Sequence, residues 1–204
     1  MGSRERRDLT LEQELGLGLF ASGRKRALAR AQNLEIRESV PIDLDAIESL
    51  YPETFPDENL LPLVRDLLAD AAVTTSLVGT IDSRIVGHAI FTKCRVSGSN
   101  VNAALLGPLA VAPAWQRRGF GSAIVRTGLR RLEEMEVSLV YVLGDPAYYE
   151  RLGFRPESLV EPPFRLPPEW DGAWQSQNVG DVAALFPGKL IVPRQWLQPA
   201  LWAP

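Results

Sequence analysis

The chain reads as an α/β fold built on a mixed sheet, and three observations carry that reading. An apolar segment at residues 101–111 runs through the basic, glycine-spaced turn Gln116-Arg117-Arg118-Gly119-Phe120-Gly121 into an amphipathic stretch of helical period. A second apolar run, Leu139-Val140-Tyr141-Val142-Leu143, follows it. Upstream, two segments joined by Asp82-Ser83 have the look of a hairpin. Strand, helix, strand implies a right-handed parallel crossover, whereas a hairpin is antiparallel, so the sheet holds both pairings.

The elements follow in order. Leu34-Glu35-Ile36-Arg37 alternates as a strand. Residues 43–51 predict a helix with Leu44, Ile47 and Leu50 on one face, ended by Pro52 and Pro56. Residues 60–68 predict a second short helix. Residues 74–81 and 84–96 are the hairpin strands. The strand at 101–111 contains Gly107-Pro108, which weakens the ladder and predicts a bulge or kink. The helix at 119–135 carries a stripe of Ile124, Val125, Gly128, Leu129, Leu132 and Met135, with Arg126, Arg130 and Arg131 on its solvated side. The run at 139–143 is apolar on both faces, as a doubly covered strand requires. Asp145-Pro146 opens a short helix that stops before Gly153. Beyond Arg155 the chain is rich in Pro and Trp, with strands read at 173–179 and 189–192.

Residues 1–33 read as a mildly basic extension, helical or frayed, and residues 34–204 as one domain. A length of 204 residues suffices for one sizeable core, and 46% hydrophobic with 23% charged residues is ordinary for a globular chain. A net charge of -3 and a pI near 5.3 disfavour non-specific nucleic-acid binding. One cysteine, Cys94, and one histidine, His88, leave no disulfide framework and no Cys-rich zinc site. Both read as structural, His88 within a strand and Cys94 as a small buried hydrophobe. No signal peptide and no membrane span is evident, so a cytoplasmic address is expected. Trp170, Trp174, Trp196 and Trp202 read as an apolar cluster, or as the border of an acceptor pocket or a dimer seam.

The turn at 116–122 carries the chemistry. A helix start has unpaired N–H donors and the positive end of the helix dipole, so it suits phosphate groups. Glycine at 119 and 121 allows close backbone approach, and Arg117 and Arg118 add positive charge. The reading is a phosphorylated small-molecule cofactor.

That loop and the downstream Gly144-Asp145-Pro146-Ala147-Tyr148-Tyr149-Glu150-Arg151-Leu152-Gly153-Phe154 together resemble the GNAT superfamily of acyl-CoA-dependent N-acetyltransferases, in the form of its bacterial YhbS-like branch. The family carries a Gln/Arg-x-x-Gly-x-Gly/Ala loop and an aromatic-Tyr-x-x-x-Gly-Phe stretch, in this order. The resemblance covers residues 34–154 and leaves residues 1–33 aside. It implies a mixed sheet whose central parallel strands, ending here at Val111 and Leu143, splay apart to admit pantetheine. Acetyl-CoA would then lie along Leu109, Ala110 and Val111 and along Gln116, Arg117, Arg118, Gly119, Phe120, Gly121 and Ser122, with no metal. Val111 would supply an oxyanion N–H, and Tyr149 would protonate the leaving thiolate, with Tyr148 packing beside it. Many members have an asparagine seven residues before that tyrosine; Val142 stands there in this chain. The resemblance implies direct transfer to a primary amine on a small molecule or peptide. Glu48, Glu53, Asp57 and Glu58 lie where the acceptor often faces. A homodimer stays open, as does a non-catalytic acyl-CoA sensor on the same fold. An adaptor using the basic residues up to Arg30 would bind RNA, against the acidic pI.

Overall fold

Period-two alternation places the core on both sides of one sheet. Leu77, Ala89, Phe91, Ala104, Leu106, Val140 and Val142 face one way, and Val78, Ile90, Leu105 and Tyr141 face the other. The computed structural model describes residues 34–170, 172–180 and 187–202, so the reading of residues 1–33 lies outside it. The strands are β1 (Glu35–Glu38), β2 (Thr74–Ile81), β3 (Arg84–Val96), β4 (Asn102–Val111), β5 (Leu139–Leu143), β6 (Arg155–Pro156), β7 (Val160–Glu161), β8 (Trp174–Asn178) and β9 (Gly188–Ile191). The helices are α1 (Leu44–Thr54), α2 (Leu61–Leu68), α3 (Phe120–Glu134) and α4 (Pro146–Tyr149). The main path through the sheet is β1-β2-β3-β4-β5-β8-β6, with β9 pairing β3 and β7. β4 and β5 are parallel, and β1–β2, β2–β3, β3–β4 and β5–β8 are antiparallel, so the sheet is mixed.

The β2–β3 turn is Asp82-Ser83, both residues at positive φ (48° and 64°). That two-residue geometry matches the twist of the flanking strands. The bulge falls where Gly107-Pro108 predicts it. Ala89 pairs with Leu109 and Phe91 with Leu106, so two β4 residues stand opposite Ile90 alone.

Two helix readings need correction. α1 passes through Pro52 and ends at Thr54, closed by the Phe55 amide donating to the Tyr51 carbonyl at 2.8 Å. Its buried face is Ile47, Leu50 and Tyr51; Leu44, in the first turn, is exposed. α3 stops at Glu134, and Met135 is exposed because Val137 takes its place in the core. Arg131, on the solvated side of α3, pairs at the surface with the exposed Glu38.

One face of the sheet is covered by α3 and α4, and the other by α1, α2 and the C-terminal segment. Trp174, Trp196 and Trp202 are integral to that second core, where Trp174 stacks on Tyr141 at 5.4 Å. Their indole N–H groups donate to Val160 O, Thr92 Oγ1 and Trp196 O, which satisfies three otherwise costly buried donors. Among the described residues no helix is long and apolar enough to cross a membrane.

Candidate functional site

The site begins where β4 loses a neighbour. Its pairing with β5 runs only from Ala103–Leu139 to Leu106–Val142. Past the bulge β4 keeps β3 alone. The Ala112 amide donates to Val86 O at 3.0 Å, and Ala110 stands two residues earlier opposite His88. Antiparallel pairs alternate, so the main-chain groups of Ala110 and Ala112 point to β3 and those of Leu109 and Val111 to the gap beside β5. Ala110 is fully buried.

The chain then crosses a 3-10 turn, Pro113–Trp115, and enters α3 through two left-handed residues, Arg117 (φ 56°) and Gly119 (φ 85°). Glycine at 119 meets a conformational demand, because a Cβ there would touch nothing. The first bond of α3 runs from the Ala123 amide to Gly119 O at 2.9 Å. No side chain caps this start, and among the described residues no backbone carbonyl accepts from the amides of residues 117–122. They form a row of unpaired donors at the positive end of a 15-residue helix.

Beside them lies a cleft of about 720 Å³. Leu109, Val111, Gln116, Arg117, Gly119, Phe120, Gly121, Ser122 and Tyr149 line it, so nine of the eleven residues singled out from the sequence meet there. Ala110 and Arg118 do not. Ala110 faces the core, and the Arg118 guanidinium lies over Trp115 at 5.1 Å. Thr54, Phe55, Trp115, Asp145, Tyr148 and Arg151 complete the wall. Trp115 adjoins the motif, but nothing local in the sequence marks Thr54 and Phe55: they arrive with the last turn of α1.

The Val111 carbonyl is held from outside the sheet. Gln116 Nε2 donates to it at 2.9 Å, and Thr54 Oγ1, which donates to Leu50 O at 2.9 Å, lies 3.4 Å from it. Opposite, the Asp145 carboxylate caps α4 by accepting from the Ala147 amide at 2.9 Å, which fixes the helix bearing Tyr148 and Tyr149. The two rings meet edge to face at 4.9 Å, and Tyr149 also packs on Phe154 at 5.6 Å. Burial raises the Tyr149 phenol above its ordinary value, so it holds its proton at neutral pH. The Tyr148 hydroxyl sits where a Gly121 Cβ would come within 2.6 Å, which gives that glycine a packing role.

Other candidates are committed elsewhere. Glu48 holds Arg65 through two bonds of 2.7 and 2.5 Å. Asp57 and Glu58 line a separate cavity of about 260 Å³ that shares Phe55 with the cleft. Cys94 is buried against Thr92 O, its thiol pushed up to about 12 by burial, so it is inert as a nucleophile. Among the described residues no group of three or more His, Cys, Asp or Glu could hold a metal ion.

Residues 44–154 match the model of the acetyltransferase (GNAT) family. The chain is 35% identical over 120 residues, 58% of this chain and 72% of the other, to the N-acetyltransferase YhbS of Escherichia coli strain K12. The crystal structure of E. coli YhbS in complex with CoA superposes with a TM-score of 0.71 at 28% identity, covering 81% of this chain and 93% of that one. A GNAT acetyltransferase from Brucella melitensis in complex with acetyl-CoA gives 0.65 at 26% identity, covering 80% and 97%. The chain belongs to the GNAT family of acetyltransferases.

Proposed function

We propose that this GNAT acetyltransferase binds acetyl-CoA in the cleft between β4 and β5 and transfers the acetyl group directly to a primary amine on a small molecule or peptide. The observation that carries the reading is the row of unpaired amides at residues 117–122, opening beside a strand that has lost its neighbour. A diphosphate supplies acceptors for those amides, and each charge–dipole contact at a helix start contributes about 0.3–1 kcal/mol. The exposed Arg117 side chain adds a screened attraction. Pantetheine amides offer the donor and acceptor that the edge of Leu109 and Val111 lacks, as an added strand would.

The chemistry asks for position first. Holding the amine beside the thioester carbonyl removes about 7–11 kcal/mol of barrier. The amine nitrogen attacks the carbonyl carbon, and the Val111 N–H donates to the oxygen that becomes negative. Gln116, by holding the Val111 carbonyl, fixes the direction of the peptide on that edge. The C–S bond then breaks, and the Tyr149 phenol gives its proton to the sulfur. The proton shed by the new amide nitrogen leaves through water and restores the phenol. A raised phenol is a weaker acid, so it keeps its proton until the thiolate forms beside it.

The test is to mix the chain with acetyl-CoA and a panel of amines and to follow free thiol. Amine-dependent thiol release is the expected result. CoA binding without release across the panel would favour the acyl-CoA sensor in place of the enzyme.

A further inference from the structure

His88 is fully buried on β3, and the transfer reaction does not use it. Its ring is bonded on both sides: Tyr51 Oη lies 2.8 Å from Nδ1, and Ser76 Oγ lies 2.8 Å from Nε2. Ser76 in turn lies 2.7 Å from Ser39 Oγ. The link therefore joins β3 to α1, to β2 and to the segment after β1. A neutral imidazole has one donor and one acceptor. With the phenol O–H donating to Nδ1, Nε2–H donates to Ser76 Oγ, which also accepts from the Ser39 hydroxyl, so both ring nitrogens have partners.

Tyr51 is the residue before Pro52, and that placement gives the link its consequence. Proline brings no N–H to the last turn of α1, so that turn hangs on fewer backbone bonds than the rest. Tyr51 holds it twice: its carbonyl accepts from the Phe55 amide at 2.8 Å, and its ring stacks on Phe55 at 6.0 Å. Phe55 and Thr54 are both walls of the cleft, and the Thr54 hydroxyl ties the last turn to Leu50 O at 2.9 Å.

We propose that His88 is a positioning residue for the cofactor cleft: by fixing the Tyr51 phenol it sets the pose of Phe55 and Thr54 in the cleft wall. The proposal rests on the cleft being the acetyl-CoA site.

Two single variants test it, Tyr51→Phe and His88→Leu, with His88→Gln as the conservative rescue because a carboxamide keeps a donor and an acceptor. CoA dissociation constants are measured by calorimetry, with kcat and KM for acetyl-CoA. The expected result is CoA affinity weakened about tenfold in Tyr51→Phe and His88→Leu, the loss expected of one net hydrogen bond. His88→Gln recovers to within about threefold. The double variant binds no more than about twofold worse than His88→Leu alone, since both changes cut the same link. If His88→Leu fails to fold, Tyr51→Phe, which deletes one oxygen and keeps the ring, carries the test. Variants that melt earlier yet bind CoA and turn over as the parent does would overturn the proposal and leave His88 a stabilising residue only. A parent chain that does not bind CoA would overturn the cleft assignment itself, and the positioning role with it.

Discussion

The two halves of β4 differ in one respect, and the difference explains where a site can form. From Ala103 to Leu106 the strand has β3 on one side and β5 on the other, and its side chains are buried. From Leu109 to Val111 it has β3 alone, and Leu109 and Val111 are part of a cleft wall. The switch occurs at Gly107-Pro108, where the bulge sits and where proline brings no donor. Composition hardly changes along the strand. The proposed function enters where backbone groups lose their partners: a satisfied ladder makes stability, and an unsatisfied one leaves donors and acceptors for a ligand.

The contrast can be broken most severely on its closed side. Val140 is fully buried on β5, inside the paired segment, and Val140→Asp places an unpaired carboxylate there. The expected loss is more than about 4 kcal/mol, read as a collapse of the urea midpoint. On the open side, Tyr149→Phe removes only the proposed proton donor. It should lower kcat by about a hundredfold or more with the CoA dissociation constant unchanged; equal rates would take the role from Tyr149.

A third measurement reads the satisfied network beside the open half. Burial pushes His88 down to about 3 from 6.5. Between those values the unfolded chain takes up a proton that the folded one refuses, so stability is full above about pH 6.5 and falls as pH drops, by at most about 1.4 kcal/mol per pH unit. His88→Gln should lack that slope in urea titrations between pH 6.5 and 4.5. The nearby Asp43, whose carboxyl is held below its usual range by Arg37, contributes with the same sign but lower on the pH scale. The smallest effect is Gly119→Ala. Its new methyl meets no atom, so only the left-handed backbone objects, by about 1 kcal/mol. CoA affinity should weaken about fivefold to tenfold, and an unchanged affinity would detach the loop conformation from binding.

What could be read from the sequence was local. The Asp82-Ser83 hairpin, the stripe of α3, the doubly buried β5 and the capped α4 all declare themselves within a dozen residues. The errors arise where tertiary contact decides. Pro52 does not end α1, because Tyr51 anchors the turn beyond it, and Leu44 lies on the periodic face but outside the core. Of the site, the half on α3 and α4 was legible as motif. Thr54 and Phe55 were not, since they reach the cleft across a contact 57 residues long in sequence. The tryptophans were visible as a group, but their union with Tyr141 in one core depends on β8 pairing with β5.

Four residue pairs lace β4 to β5, and they join a wing made of β1 to β4 to a wing made of β5, β8 and β6. A ligand lodged past the last of those rungs would extend the lacing with its own amides, becoming mortar between the wings as well as cargo. Saturating cofactor should therefore blunt protease nicking on both flanks of the seam at once.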